Sequence, residues 1–268
     1  MSDANWKIQG SSGENIHGNT STPSSDPKGI ILVAHGFKGY KDYGMFPWLT
    51  QKFVQQGFIA HRFNFSHSGM TATDGPFERP DLFERDTWNF QVEDLAILTR
   101  ELGEVGLPVT ILGHSRGGVS CLLAAGRGAV KVDGVISISA PATCNPMTPE
   151  VQQELLSKGF IESPSSRTDQ MLHVGRAFLQ DQLDDPESHD LLPLIERITS
   201  RILVIHGEID PTVSVESAVA IATAGQSTTL VRIPDGDHVY NNPNPFPKEG
   251  TPSVQLAAAW SAIQSWLV

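Results

Sequence analysis

Residues 109–118 read Val109-Thr110-Ile111-Leu112-Gly113-His114-Ser115-Arg116-Gly117-Gly118, and this stretch decides the fold. Pro108 opens a short apolar run, the pattern of a buried strand. After Gly118, the run Val119-Ser120-Cys121-Leu122-Leu123-Ala124-Ala125 reads as a helix. Between strand and helix stands one G-x-S-x-G pentapeptide, and the chain contains no second. A serine at so tight a turn is held in a strained backbone and projects its hydroxyl outward. Small flanking residues let neighbouring backbone pass close on both sides. The amide that follows, that of Arg116, is then placed to receive a developing oxyanion.

Outward from this turn, apolar runs alternate with helical patterns. Residues 29–34, 58–65, 134–139, 201–206 and 229–233 read as strands, and residues 46–56, 86–102, 213–224 and 252–267 as helices. The run Gly29-Ile30-Ile31-Leu32-Val33-Ala34 is unbroken, as a strand covered on both faces requires. Residues 5–25 read as an edge hairpin. Alternation of this kind predicts an α/β fold with a mostly parallel sheet and helices on both faces. The rhythm breaks once, over 140–200, a segment too long for a plain crossover. It shows helical patterns at 149–158, 167–180 and 191–199 and no convincing strand, so it is expected to form a small helical cap. The expected division is a core of residues 1–141 and 200–268 with a cap of residues 142–199. Met147, Leu155, Leu156, Phe160, Met171, Leu172 and Phe178 are the expected inner face of that cap. Trp48, Trp88, Trp260 and Trp266 fall at helical positions and read as core.

A serine hydroxyl is a weak nucleophile at neutral pH and needs a base, which needs a partner to fix its tautomer. Two later strands end in segments that can supply both. The 201–206 strand runs into His206-Gly207-Glu208-Ile209-Asp210-Pro211, where Asp210 is the first choice of acid and Glu208 the second. The 229–233 strand runs into Pro234-Asp235-Gly236-Asp237-His238, and His238 is the only histidine after Asp210. Ser115, Asp210 and His238 thus follow the order nucleophile, acid, base. A second oxyanion donor is expected after the first central strand, in His35-Gly36-Phe37, and the Phe37 amide is the choice. His35, His67, His114 and His206 read as structural residues.

At this point the chain resembles the α/β-hydrolase superfamily along nearly its whole length, and within it small bacterial carboxylesterases of the feruloyl-esterase and monoacylglycerol-lipase type. His35-Gly36-Phe37 matches an H-G-F oxyanion segment, and 206–211 matches H-G-x-x-D-P, which carries the acid. Asp237-His238 is similar to the terminal histidine motif, and Arg62-Phe63-Asn64-Phe65-Ser66-His67-Ser68-Gly69 to the family's R-F-D-F-N-G-H-G stretch. Asn64 stands for the usual aspartate, and His67-Ser68 for the usual G-H. The stretches 38–43 and 71–84 are distinctive as well. These departures bear on the substrate and leave the three catalytic positions intact.

The resemblance implies a carboxylesterase working through an acyl-enzyme, with no cofactor and a small-molecule ester as partner. A thioester or a peptide bond would suit the same machinery, and an aminopeptidase would need an acidic cluster for the substrate amine, for which Asp181, Asp184, Asp185 and Glu187 are the candidates. A non-enzymatic ligand receptor on the same fold is the alternative of another class. No zinc-type histidine spacing is present, so no metal is implied. The net charge of −11 comes with no basic cluster, which argues against nucleic acid and anionic membranes as partners. No stretch is long and apolar enough to span a membrane. The N-terminus lacks a signal-peptide pattern, and Cys121 and Cys144 read as reduced thiols, so a cytoplasmic protein is expected. Assembly with copies of itself is left open.

Overall fold

The computed structural model describes residues 2–71, 75–103 and 106–268. The chain opens with the antiparallel strands β1 (Ser2–Gln9) and β2 (Asn15–Thr22). Next come β3 (Ile30–Ala34), α1 (Phe46–Gln55), β4 (Ile59–Asn64), α2 (Pro80–Arg85) and α3 (Trp88–Leu102). The elbow follows, with β5 (Val109–His114), α4 (Arg116–Gly126) and β6 (Gly134–Ile138). The insertion then contributes α5 (Pro149–Lys158), β7 (Phe160–Ser165), β8 (Gln170–Gly175), α6 (Ala177–Asp184) and α7 (Leu191–Ile195). The chain closes with β9 (Arg201–Gly207), α8 (Glu216–Ala224), β10 (Thr228–Ile233) and α9 (Val254–Leu267).

The main sheet runs β1-β2-β4-β3-β5-β6-β9-β10. From β4 to β10 every neighbouring pair is parallel, and β1 and β2 add an antiparallel edge. Side chains alternate across the pleat, so each inner strand feeds two cores. In β3, Leu32 and Ala34 join the core beneath α3 and α4, while Ile31 and Val33 join the one beneath α1 and α9. Trp48, Phe53 and Trp260 fill the second core edge to face, at 5.2 Å between the Phe53 and Trp260 rings. The unbroken apolar runs of β3, β5 and β9 follow from this two-sided burial.

The insertion departs from expectation. Residues 160–165 and 170–175 pair as an antiparallel hairpin, where a helix over 167–180 and no strand were expected. Gly159 ends α5 in the left-handed region at φ 90°, with its amide on the Leu155 carbonyl. The turn then falls on Ser165-Ser166-Arg167-Thr168-Asp169, with Asp169 at φ 53° and the Thr168 hydroxyl on Ser165 Oγ. Helical spacing of Met171, Leu172 and Phe178 suggested a continuous helix. The turn chemistry between Ser165 and Asp169 overrides it.

Candidate active site

Ser115 sits between central strand β5 and helix α4, at φ 55° and ψ −122°. This left-handed backbone is costly for a residue with a Cβ and persists because the surroundings dictate it. The Ser115 amide donates to the Ile138 carbonyl of β6 at 2.8 Å. A Cβ on Gly113 would lie 2.1 Å from the Gly117 carbonyl oxygen, and one on Gly117 would lie 2.4 Å from that of His35. Glycine is therefore the residue that lets α4 start directly against β5 and the end of β3.

Asp210 lies in the loop after β9, with its side chain fully buried. Oδ1 accepts the amides of Thr212 and Val213 at 2.8 and 2.9 Å. Oδ2 faces His238 Nδ1 at 2.7 Å and His206 Nε2 at 3.3 Å. Burial alone would raise the Asp210 pKa. The hydrogen bonds from His206, His238 and the Val213 amide outweigh it and hold the carboxylate well below its usual range. Glu208 points elsewhere, to Arg232 at 3.1 Å.

His238 reaches Asp210 from the loop after β10. Asp237 shapes that loop by accepting the Val239 and Asn241 amides at 2.9 and 2.7 Å. His114 Nε2 is 2.8 Å from the His238 carbonyl and donates to it, which ties the elbow to the His238 loop. Burial, with His238 close by, pushes the His114 pKa down to about 3, so the ring is neutral at neutral pH. His35 accepts the Phe65 amide on Nε2 at 3.2 Å, and burial lowers its pKa to about 4. His67 stacks on Phe90 at 4.1 Å and lines neither cavity at Ser115.

Two cavities meet at Ser115 and Phe37. The larger, about 460 Å³, runs under the insertion between Trp88, Met147, Ile161, Val174 and Phe178. The smaller, about 210 Å³, is bordered by Lys38, Ser165, Arg167 and His238. Ser115 and His238 both face this smaller space, but among the described residues the Ser115 hydroxyl makes no hydrogen bond. Such a contact is often loose before substrate binds. The Phe37 and Arg116 amides likewise have no acceptor among the described residues. No group of three or more His, Cys, Asp or Glu side chains converges to hold a metal there, again among the described residues.

A family profile described as the alpha/beta hydrolase family matches residues 30–249. The chain belongs to the α/β hydrolase family. Solved structures agree in fold. Est1E of Butyrivibrio proteoclasticus with ferulic acid bound superimposes with a TM-score of 0.74 at 18% identity, covering 98% of each chain. Mouse alpha/beta hydrolase domain-containing protein 10 gives 0.73 at 19% identity, again over 98% of each chain. A thermophilic esterase of Thermogutta terrifontis, malate bound, gives 0.63 at 20% identity over 98% of each. No curated protein matches this chain in sequence. No helix among the described residues is long and apolar enough to cross a membrane.

Within this α/β-hydrolase frame, several side chains stand differently from expectation. Of the seven expected inner-face residues, Met147 and Phe178 line the larger cavity. Leu155 and Leu172 are buried in packing, Leu156 is half-buried and lines neither cavity, Phe160 stacks on His173, and Met171 is 52% exposed. Ile161 and Val174 take their place, because the hairpin presents alternate residues. Trp88 is core and cavity wall at once, with its indole N–H on the Cys144 carbonyl at 3.1 Å. Asp181, Asp184, Asp185 and Glu187 line neither cavity. Asn64 holds the Lys41 amide at 2.7 Å and so supports the loop after Phe37. Within 71–84, residues 72–74 lie outside the described residues. Arg116, whose side chain was unread in the sequence, lines the larger cavity, with that side chain mostly buried.

Proposed function

We propose that this chain is a serine esterase that cleaves carboxylic esters through an acyl-enzyme. Ser115 Oγ attacks the ester carbonyl while His238 Nε2 takes its proton. Asp210 holds the tautomer that leaves Nε2 free and stabilises the imidazolium. The Phe37 and Arg116 amides receive the oxyanion. Collapse breaks the bond to the alcohol, to which His238 returns the proton. Water then attacks the acyl group, gives its proton to His238, and the acid leaves as Ser115 regains its hydrogen.

The reading rests above all on the 2.7 Å bond between Asp210 and His238, beside a serine held at a strained elbow. Because His238 must protonate the departing oxygen, the small cavity that it borders takes the alcohol, and the larger cavity takes the acyl group. Residues 142–199 act as a cap that excludes water from the acyl side and sets its length. The test is turnover of ethyl and phenyl esters by the parent and by Ser115→Ala. A loss of about a thousandfold or more with an unchanged circular dichroism spectrum is expected. Activity of folded Ser115→Ala within tenfold of the parent, as an order-of-magnitude margin, removes the assignment.

A further inference from the structure

Arg116 follows the nucleophile, and its side chain is only 11% exposed. Three aromatic rings enclose the guanidinium, those of Phe178 at 4.6 Å, Trp88 at 4.8 Å and Phe37 at 5.5 Å. Each of these rings also lines the larger cavity. Its counter-charge, Asp86, lies 3.0 Å from Nη2 but is not part of the cavity wall. Gln91 Nε2 donates to the same Asp86 oxygen at 2.6 Å and holds it in place. The ion pair is thus oriented, with its positive end at the cavity and its negative end behind.

The pair leaves hydrogen-bonding capacity unused. Nη2 faces Asp86 and Nε is sealed from the cavity, whereas Nη1 is not sealed and has no hydrogen-bond acceptor among the described residues. A charged donor left unused beside aromatic walls favours an acceptor that can reach it from the cavity. A plain alkyl chain in the cavity would press against the guanidinium and offer it nothing. A chain carrying a neutral oxygen would give Nη1 its acceptor. A carboxylate would bring a second anion to an arginine that Asp86 already neutralises, and so fits less well.

Resting on the esterase reading, we infer that the preferred acyl group is oxygenated: a keto, hydroxy or ether oxygen along the chain accepts a hydrogen bond from the Arg116 guanidinium. The Arg116 backbone amide serves the oxyanion and its side chain selects the acyl group. Adjacent roles in one residue tie the position of that oxygen to the position of the scissile carbonyl. Preference should therefore peak at one chain length rather than rise steadily with size.

The experiment pairs a series of ethyl alkanoates of increasing length with the same esters carrying a keto oxygen at the penultimate carbon. The readout is the ratio of kcat/KM, oxo over plain, at each length. In the parent this ratio is expected to reach about 10- to 100-fold at one length, the size of a hydrogen bond to a charged donor. Arg116→Met keeps the bulk and removes the donors, and its ratio should fall to near one at every length. Because that change strands Asp86, Arg116→Met with Asp86→Asn is measured as well and should give the same flat profile. A parent ratio near one at all lengths overturns the inference, as does a peak that survives in either folded variant. Hydrolysis of both series with a flat ratio leaves the esterase reading standing. Absence of hydrolysis in both series removes the two together.

Discussion

At the carboxyl ends of β5, β9 and β10 close backbone contacts fix the loops around the nucleophile, whereas the hairpin that covers them is anchored through Leu172, Val174 and Gly175 and turns other side chains to the cavity and to neighbouring loops. Gly113 and Gly117 abut carbonyl oxygens closely enough to forbid a Cβ, and Ser115 sits at φ 55° between them. The hairpin has only two strands, an arrangement that is marginal by itself. Lys38 Nζ donates to the Pro164 carbonyl at 2.7 Å, and Gln170 exchanges two hydrogen bonds with the Phe77 backbone at 2.7 and 3.0 Å. Arg167 donates to the Gly75 carbonyl at 2.8 Å. One region fixes chemistry by leaving no alternative backbone, and the other shapes a cavity by contacts that substitutions can retune.

This contrast predicts a descending series of effects. Asp210→Asn should lower kcat/KM by about ten-thousandfold, because an amide can leave His238 in the wrong tautomer. It should also cost stability near neutral pH. The Asp210 pKa is depressed in the fold, so its charge stabilises above the ordinary unfolded value of about 3.9, and that gain is lost as pH falls through the native value. Urea denaturation of parent and variant should therefore differ at neutral pH and converge in strong acid. An equal gap at both would contradict the placement of the charge.

Gly117→Ala should come next, with a loss of about 3 kcal/mol, since its Cβ would meet backbone at 2.4 Å that cannot move without shifting β3. A loss below about 0.5 kcal/mol in urea denaturation would show that the elbow is more pliant than its contacts suggest. Ile161→Phe on the hairpin should do least to the fold, within about 1 kcal/mol, because Ile161 is only partly buried. It should nonetheless shift preference toward shorter acyl chains, by about tenfold for one or two methylenes. An unchanged chain-length profile in a folded Ile161→Phe would mean that the hairpin does not bound the acyl group.

Legibility in the sequence follows the same division. The strands of the main sheet were readable because two-sided burial demands unbroken apolar runs, as in β3 and β5. The juxtaposition of Asp210 and His238 was readable because each follows a strand end in an order that the parallel sheet brings to one edge. The hairpin was not, since helical spacing at Met171 and Phe178 competes with a turn that depends on Asp169 at φ 53°. Nor was the role of the Arg116 side chain, which depends on Trp88 from α3 and Phe178 from α6 converging on it. Contacts between segments so distant along the chain leave no local pattern.

The central claim is that Ser115 becomes covalently acylated. Intact-mass and peptide mass spectrometry after mixing with a phenyl ester and quenching in acid within the first turnover would test it directly. One acyl adduct per chain is expected, located on Ser115, absent from Ser115→Ala, and more persistent in His238→Ala given a chemically activated ester. Adduct on another residue, or steady turnover of the ester by folded Ser115→Ala, would contradict it.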